Sequence, residues 1–294
     1  MVSFENIRGI IPPVITPFKE NGDIDFEKLD KEMQYCVDAG VDGLSVSGST
    51  GEGPTIRDEE LVELIRHARA VIGPDKPVVC GIMRTCTRDA VRAGLAAKEA
   101  GADAIMVTPT AYNVLVPDED GMFEFYRTIS EEVDLPVIIY NVIPQNTVTP
   151  RLFKRLLEGT KNVRGIKQSV GGVPYLYEMI QVCGDRGQAY AATDDMLFTC
   201  YTLGAAGAIS AALAVFPKEC IEMWECAHDG RFERGMELQN MIFPAWKHIE
   251  GPQFPIRVKY ALKVLGRDGG FCRSPIVHLS DEEKRGIEKA FSMF

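Results

Sequence analysis

Three short stretches decide how this chain reads: Asp38-Ala-Gly-Val-Asp-Gly-Leu44, Glu99-Ala-Gly-Ala-Asp-Ala-Ile105 and Thr202-Leu-Gly-Ala-Ala-Gly-Ala208. They share one form. A helical pattern ends at a glycine, two residues turn, and an apolar run begins. Glycine just past a helix end suits a left-handed cap, since it has no Cβ to clash at positive φ. The stretches predict one αβ unit used repeatedly.

Working outward, eight short runs read as strands: 9–15, 43–47, 78–82, 103–107, 136–140, 163–167, 188–192 and 206–210. Several are apolar throughout, as parallel strands covered on both faces should be. Helical patterns at 25–39, 57–72, 87–100 and 119–132 separate them. In 57–72, Leu61, Leu64, Ile65 and Ala68 share a face. Eight strands alternating with helices predict an α/β fold, a (β/α)8 TIM barrel over residues 1–230. A doubly wound sheet is the alternative, because strand counting does not show closure. From 217 onward the patterns at 217–229, 231–248, 254–265 and 280–292 are helical. The first closes the barrel, and the others form a C-terminal helical extension over 231–294.

Composition narrows the function. With 32 Lys+Arg against 42 Asp+Glu the formal charge is −10, which excludes a generally basic nucleic-acid footprint. The chain has no apolar run long enough for a membrane span. Its opening, Met1-Val-Ser-Phe-Glu-Asn-Ile-Arg-Gly9, does not read as a secretory signal, so a cytoplasmic location is expected. The eight cysteines include no CxxC pair and mostly lie in apolar runs, so they are expected to be buried reduced thiols. The four histidines are far apart, and no metal site is expected.

In such barrels the active site lies at the C-terminal ends of the strands. That rule selects Thr16-Pro17, Ser47–Gly53, Thr108-Pro109, Tyr140-Asn141, Lys167–Ser169, Thr193–Asp195 and Ser210. Lys167 closes the run Val163-Arg-Gly-Ile-Lys167, which aims its side chain into the barrel mouth above an apolar core. Desolvation favours the neutral amine, and a neutral amine can attack a carbonyl to form a Schiff base. The alternative is a structural lysine in an ion pair. Tyr140 ends the adjacent strand, where its phenol can relay protons, or can simply pack. Gly48-Ser-Thr-Gly-Glu-Gly53 is a small-residue loop. Its glycines let backbone N–H groups approach an anion, Ser49 and Thr50 add hydroxyl donors, and the next helix adds positive dipole. It lacks the nucleotide P-loop pattern and suits a small carboxylate. The plainer reading is an ordinary turn, with Glu52 bonded to local backbone. A phosphate-binding barrel is disfavoured, because the loop after strand seven is the acidic Thr193-Asp194-Asp195 and the loop after strand eight has no glycine.

Taken together, Gly9-Ile-Ile-Pro-Pro-Val-Ile-Thr-Pro17, Gly48-Ser-Thr-Gly-Glu52, Val107-Thr-Pro109, Tyr140-Asn-Val142, Gly165-Ile-Lys167 and Gly207-Ala-Ile-Ser210 resemble the dihydrodipicolinate synthase/N-acetylneuraminate lyase family. The likeness covers nearly the whole chain. It implies a Schiff base between Lys167 and a 2-oxo acid, usually pyruvate, without a cofactor. It implies carboxylate binding by Ser49 and Thr50, and a proton relay of Tyr140 with Ser49. Gly48, Gly51 and Ile209 join the substrate-binding set. Tyr112 stands for a tyrosine that reaches across a subunit contact. The resemblance also implies a homotetramer built as a dimer of dimers.

Two departures stand out. The synthases carry an arginine shortly after Tyr-Asn-Val-Pro, to hold the second substrate's carboxylate. Here 142–150 offers only the neutral Gln145, Asn146 and Thr147. The loop Thr108-Pro-Thr-Ala-Tyr112-Asn113 is about three residues longer than the family pattern, a gap judged from the resemblance rather than from any general rule. Lys167-Gln-Ser169 and Gly251-Pro-Gln-Phe-Pro-Ile-Arg-Val-Lys-Tyr260 are similar to a branch with 4-hydroxy-pyrroline-2-carboxylate deaminases. Three chemistries stay open: aldol cleavage, dehydration or deamination of a small 2-oxo-acid-type substrate, and the synthase reaction. A non-enzymatic metabolite-binding barrel is the reading from another class.

Overall fold

Helix α1 (Phe26–Ala39) stops at Gly40 with φ 101°, and α3 (Thr87–Ala100) stops at Gly101 with φ 100°. Each glycine N–H returns to carbonyls of the last turn, which satisfies groups a helix end would leave open. The strands read after these stops follow as β2 (Leu44–Val46) and β4 (Ala104–Val107). The computed structural model describes residues 1–276, 278–292 and 294.

The remaining strands are β1 (Gly9–Ile10), β3 (Val78–Ile82), β5 (Val137–Asn141), β6 (Val163–Gln168), β7 (Gln188–Ala191) and β8 (Gly207–Ala208). All pair in parallel, in the order β1-β8-β7-β6-β5-β4-β3-β2. The ring closes just past β1. Pro13 bridges Ser45 in parallel, Val14 N–H donates to Ser45 O at 2.9 Å, and Ser45 N–H donates to Pro12 O at 2.9 Å. The predicted (β/α)8 barrel is therefore the fold, and the doubly wound alternative is excluded. Runs 9–15 and 206–210 shorten to two-residue strands. In the first, Pro12 and Pro13 have no N–H to give to a ladder.

On the outside lie α2 (Asp58–Ile72), α4 (Glu119–Val133), α5 (Pro150–Gly159), α6 (Gly172–Cys183), α7 (Leu197–Thr202) and the short α8 (Ala212–Val215). The sequence pattern does not mark the last four as helices. Then follow α9 (Pro217–Asp229), packed against β1 and α1, and α10 (Phe232–Ile249), α11 (Phe254–Val264) and α12 (Asp281–Phe291). No helix among the described residues is long and apolar enough to cross a membrane. The eight cysteines are free; Cys86 is exposed and Cys272 partly so, while the rest are buried as expected.

Two apolar clusters result. One lies between strands and helices. The other fills the barrel, with Ile11, Val79, Met106, Ile138, Tyr140, Tyr190 and Ile209, and Phe4 and Ile7 join it. Alternation along β6 decides what faces inward. Ile166 belongs to the outer cluster, so Gly165 and Lys167 face the barrel.

Candidate active site

The register of β5 on β6 pairs Tyr140 with Lys167 and Asn141 with Gln168. The first pair points into the barrel and the second points out. Asn141 and Gln168 then brace the strand ends from behind. Asn141 Nδ2 donates to Gln168 Oε1 at 3.0 Å and to Val148 O at 2.9 Å, while Asn141 Oδ1 accepts from Val148 N–H at 2.9 Å.

In front, Lys167 is only 4 % exposed, with Nζ 3.8 Å from the centroid of the Tyr140 ring. No hydrogen bond to Nζ is present among the described residues. The ion-paired structural alternative thus has no partner here. The Tyr140 hydroxyl lies 3.0 Å from Ser49 Oγ. Lysine, tyrosine and serine, 27 and 91 residues from Tyr140, meet at one point.

Ser49 sits in the 48–53 loop, whose backbone is unusual. Ser47 and Glu52 both hold positive φ, 57° and 56°, which is rare for residues with a Cβ. Close approach makes glycine necessary on both sides of this turn. A Cβ on Gly53 would lie 2.2 Å from Ser47 O, and one on Gly81 would lie 2.3 Å from it. Among the described residues no hydrogen bond takes up the backbone N–H groups of Ser49, Thr50 and Gly51. Successive free N–H groups form an anion-binding concavity. Thr50 is buried beside them. The expected contribution of the next helix dipole does not hold. A short turn over Gly53–Thr55 intervenes, and α2 starts at Asp58 with Asp58, Glu59 and Glu60 in its first turn. Those carboxylates already face its N-terminus.

Other sequence candidates fall differently. Ile209 is buried in the barrel, its N–H donating to Ala191 O at 3.1 Å. Tyr112 stands 61 % exposed beside the exposed Val114 and Leu115, and no hydrogen bond joins it to the Ser49–Tyr140 pair. Gln145, Asn146 and Thr147 each already donate to backbone. Gln145 Nε2 donates to Ala111 O at 2.7 Å, Asn146 Nδ2 to Thr110 O at 3.0 Å, and Thr147 Oγ1 to Pro144 O at 3.1 Å. They brace the loop after β4. Glu52, read as bonded to local backbone, is instead buried and paired with Lys259 at 2.6 Å.

In the sequence Asp194 is one residue of an acidic loop; in the structure it is a buried acceptor. Its Oδ1 accepts from Ala212 N–H at 2.7 Å and from the Ser210 hydroxyl. Burial pushes its carboxyl up to about 6, against the pull of those two hydrogen bonds and of the Lys167 charge. An unfolded aspartate ionises near 3.9, about two units lower. Between the two values the folded state keeps a proton that the unfolded state has lost. This stabilisation is complete below about pH 4 and fades as pH rises through about 6. Asp194→Asn keeps the shape and does not ionise. Its melting temperature is expected to gain on the wild type as pH rises across that window. A constant difference would show Asp194 ionised throughout.

Comparison with known proteins gives the family. The sequence profile of the dihydrodipicolinate synthetase family matches residues 6–293. A protein of Methanocaldococcus jannaschii named 4-hydroxy-tetrahydrodipicolinate synthase is 31 % identical over 283 residues, 96 % of each chain. A dihydrodipicolinate synthase of Bacillus anthracis superposes with a TM-score of 0.92 at 31 % identity, covering 100 % of this chain and 99 % of its own. A chloride-inhibited dihydrodipicolinate synthase of Acinetobacter baumannii, solved with pyruvate, gives 0.90 at 29 % identity and 97 % of each chain.

Proposed function

Since the chain belongs to the dihydrodipicolinate synthetase family, we propose that it forms a Schiff base between Lys167 and pyruvate or a closely related 2-oxo acid. It is a lyase of the class I aldolase type. The observation that carries the finer reading is Lys167 itself: buried, without a hydrogen-bond partner among the described residues, and 3.8 Å from the ring of Tyr140. The unprotonated form of the amine attacks the 2-oxo carbon, and a proton passes from nitrogen to the carbonyl oxygen to give the carbinolamine. The carbinolamine then loses water to the iminium, with Tyr140 supplying the proton that the leaving hydroxyl takes. The substrate carboxylate sits on the N–H groups of Ser49, Thr50 and Gly51 and on the hydroxyls of Ser49 and Thr50. The Tyr140 phenolate then takes a proton from the methyl carbon, which restores the phenol and gives the enamine that makes or breaks the carbon–carbon bond. Borohydride added with pyruvate is expected to fix one adduct per chain on Lys167, read by intact mass and peptide mapping. An adduct on another lysine, or none, would sink the proposal.

A second, narrower reading is the synthase reaction itself, condensation of pyruvate with aspartate semialdehyde. The relatives' printed names favour it. The local residues argue for weak semialdehyde binding. Arg84 is already paired with Asp58 and Arg151 with Glu119. The amides of 145 and 146 already donate to the loop after β4 and carry no charge. A missing hydrogen bond to a charged group costs about 1.5–3 kcal/mol, so semialdehyde is expected to saturate poorly. Turnover near the typical 10 s⁻¹ at low semialdehyde would establish the synthase reading and require one of those arginines to change partner.

The same reading gives a homotetramer, a dimer of dimers. The exposed apolar run of Tyr112, Val114, Leu115 and Val116 supports a subunit contact there. Light scattering giving a monomer at assay concentration would refute it.

A further inference from the structure

Two lysines are fully buried among the described residues, and their surroundings are opposite. Lys167 has no hydrogen-bond partner there. Lys259, on α11, uses all three donors: Glu52 Oε1 at 2.6 Å, Thr16 O at 2.7 Å and Phe271 O at 2.5 Å. The other oxygen of Glu52 accepts from Arg273 N–H at 2.9 Å. Thr16, which receives Lys259 through its carbonyl, also sends its hydroxyl to Gly51 O at 2.8 Å. One ammonium from the C-terminal helices thus ties together the strand-one segment, the 48–53 loop and the 271–273 segment.

Glu52 follows Ser49 by three residues and Thr50 by two, and its φ of 56° is a conformation that persists only where surroundings enforce it. Lys259 and Arg273 are the groups that enforce it. We propose that Lys259, acting through Glu52, is the positioning residue of the carboxylate-binding loop, so that the C-terminal helices set the affinity for the 2-oxo acid. This rests on the reading of Lys167 and the 48–53 loop given above, and extends it to a residue that touches neither substrate nor Lys167.

The location of the pair makes the effect specific. Removing one partner of a buried ion pair leaves the other charge uncompensated. With Lys259 gone, Glu52 must turn toward water, and it takes Ser49 and Thr50 with it. Lys167 is held separately, by the pairing of β6 with β5 and β7. The loop after β7 has its own anchors on α10. Gln239 Nε2 donates to Asp195 O at 2.5 Å, and Lys247 Nζ pairs with Asp195 at 2.7 Å. Loss of Lys259 should therefore loosen carboxylate binding and leave the amine's chemistry intact.

The test titrates pyruvate in the borohydride trapping reaction, with methyl pyruvate as a neutral control that keeps the carbonyl and lacks the carboxylate charge. Lys259→Met is expected to raise the pyruvate concentration for half-maximal trapping by roughly tenfold or more, the scale of one lost hydrogen bond to a charged group. The trapped fraction at saturation should be unchanged, and the methyl pyruvate curve should hardly move. Lys259→Arg should recover part of the loss. A folded Lys259→Met that saturates at the wild-type pyruvate concentration, or that shifts acid and ester equally, overturns the proposal. If Lys259→Met does not fold, Glu52→Gln, which keeps the side-chain shape, carries the same expectation and the same refutation. Wild type failing to trap pyruvate on Lys167 is a different result, and overturns the parent reading with this one.

Discussion

Lys167→Ala is expected to abolish borohydride trapping and to lower turnover by about 10⁴-fold or more, the scale of removing one member of a covalent catalytic unit. The fold should survive the change. Lys167 Nζ donates to nothing among the described residues, so truncation orphans no partner. Its strand is held from behind by the Asn141–Gln168 bond and on both sides by β5 and β7. One neighbour should respond. The Lys167 charge is among the influences that pull the Asp194 carboxyl down. Without it, Asp194 should ionise at still higher pH, and the stability window of that group should move up. Retained trapping in Lys167→Ala, with the adduct mapped to another lysine, would remove Lys167 from the chemistry.

The reason Lys167 and Tyr140 could be found from sequence is geometric. Period-two alternation fixes which residues of a strand face inward, and the barrel rule fixes which end matters. Both rules are local, so Val163–Lys167 and Val137–Tyr140 carry the information within themselves. The same locality explains what was not legible. Glu52 and Lys259 are 207 residues apart, and nothing in Gly48–Gly53 says which cation will arrive. Asp194 looked like a repelling charge because its partners, Ser210 and Ala212, come from the next strand's end. Gln145 and Asn146 looked like free polar groups facing a substrate, but the loop after β4 folds onto them first.

Some of what was missed had a local signal. Helix α5 opens with Thr149 accepting from Leu152 N–H and with Pro150 in its first turn, a common helix start. Leu152, Phe153, Leu156 and Leu157 then line its buried side. Helix α6 was harder, since Gly172 and Pro174 punctuate its first turn and its composition is apolar nearly all round. The start of α2 was legible to within one residue, at Asp58 against a pattern beginning at 57. The loop spends Gly53–Thr55 on a tighter turn, and only the cluster Asp58-Glu59-Glu60 marks where the helix begins.

Tyr140→Phe is the other change with a large expected effect, and it separates chemistry from packing. The phenylalanine keeps the ring that lies against Lys167 and removes only the hydroxyl 3.0 Å from Ser49 Oγ. If that hydroxyl carries protons, turnover should fall by about 10²–10⁴-fold, the usual worth of a general acid–base group. Half-saturating pyruvate should move little, because the N–H groups of 49–51 are untouched. Ser49→Ala should cost less, since it removes the partner that orients the phenol and leaves the phenol in place. At saturating pyruvate, where the carboxylate contact of Ser49 no longer limits the rate, the two changes act on one hydrogen bond, so the double variant should be no slower than Tyr140→Phe alone. Unchanged turnover in Tyr140→Phe would make the hydroxyl structural. Full additivity with Ser49→Ala would show that the pair drawn together at the barrel mouth does not work as a relay.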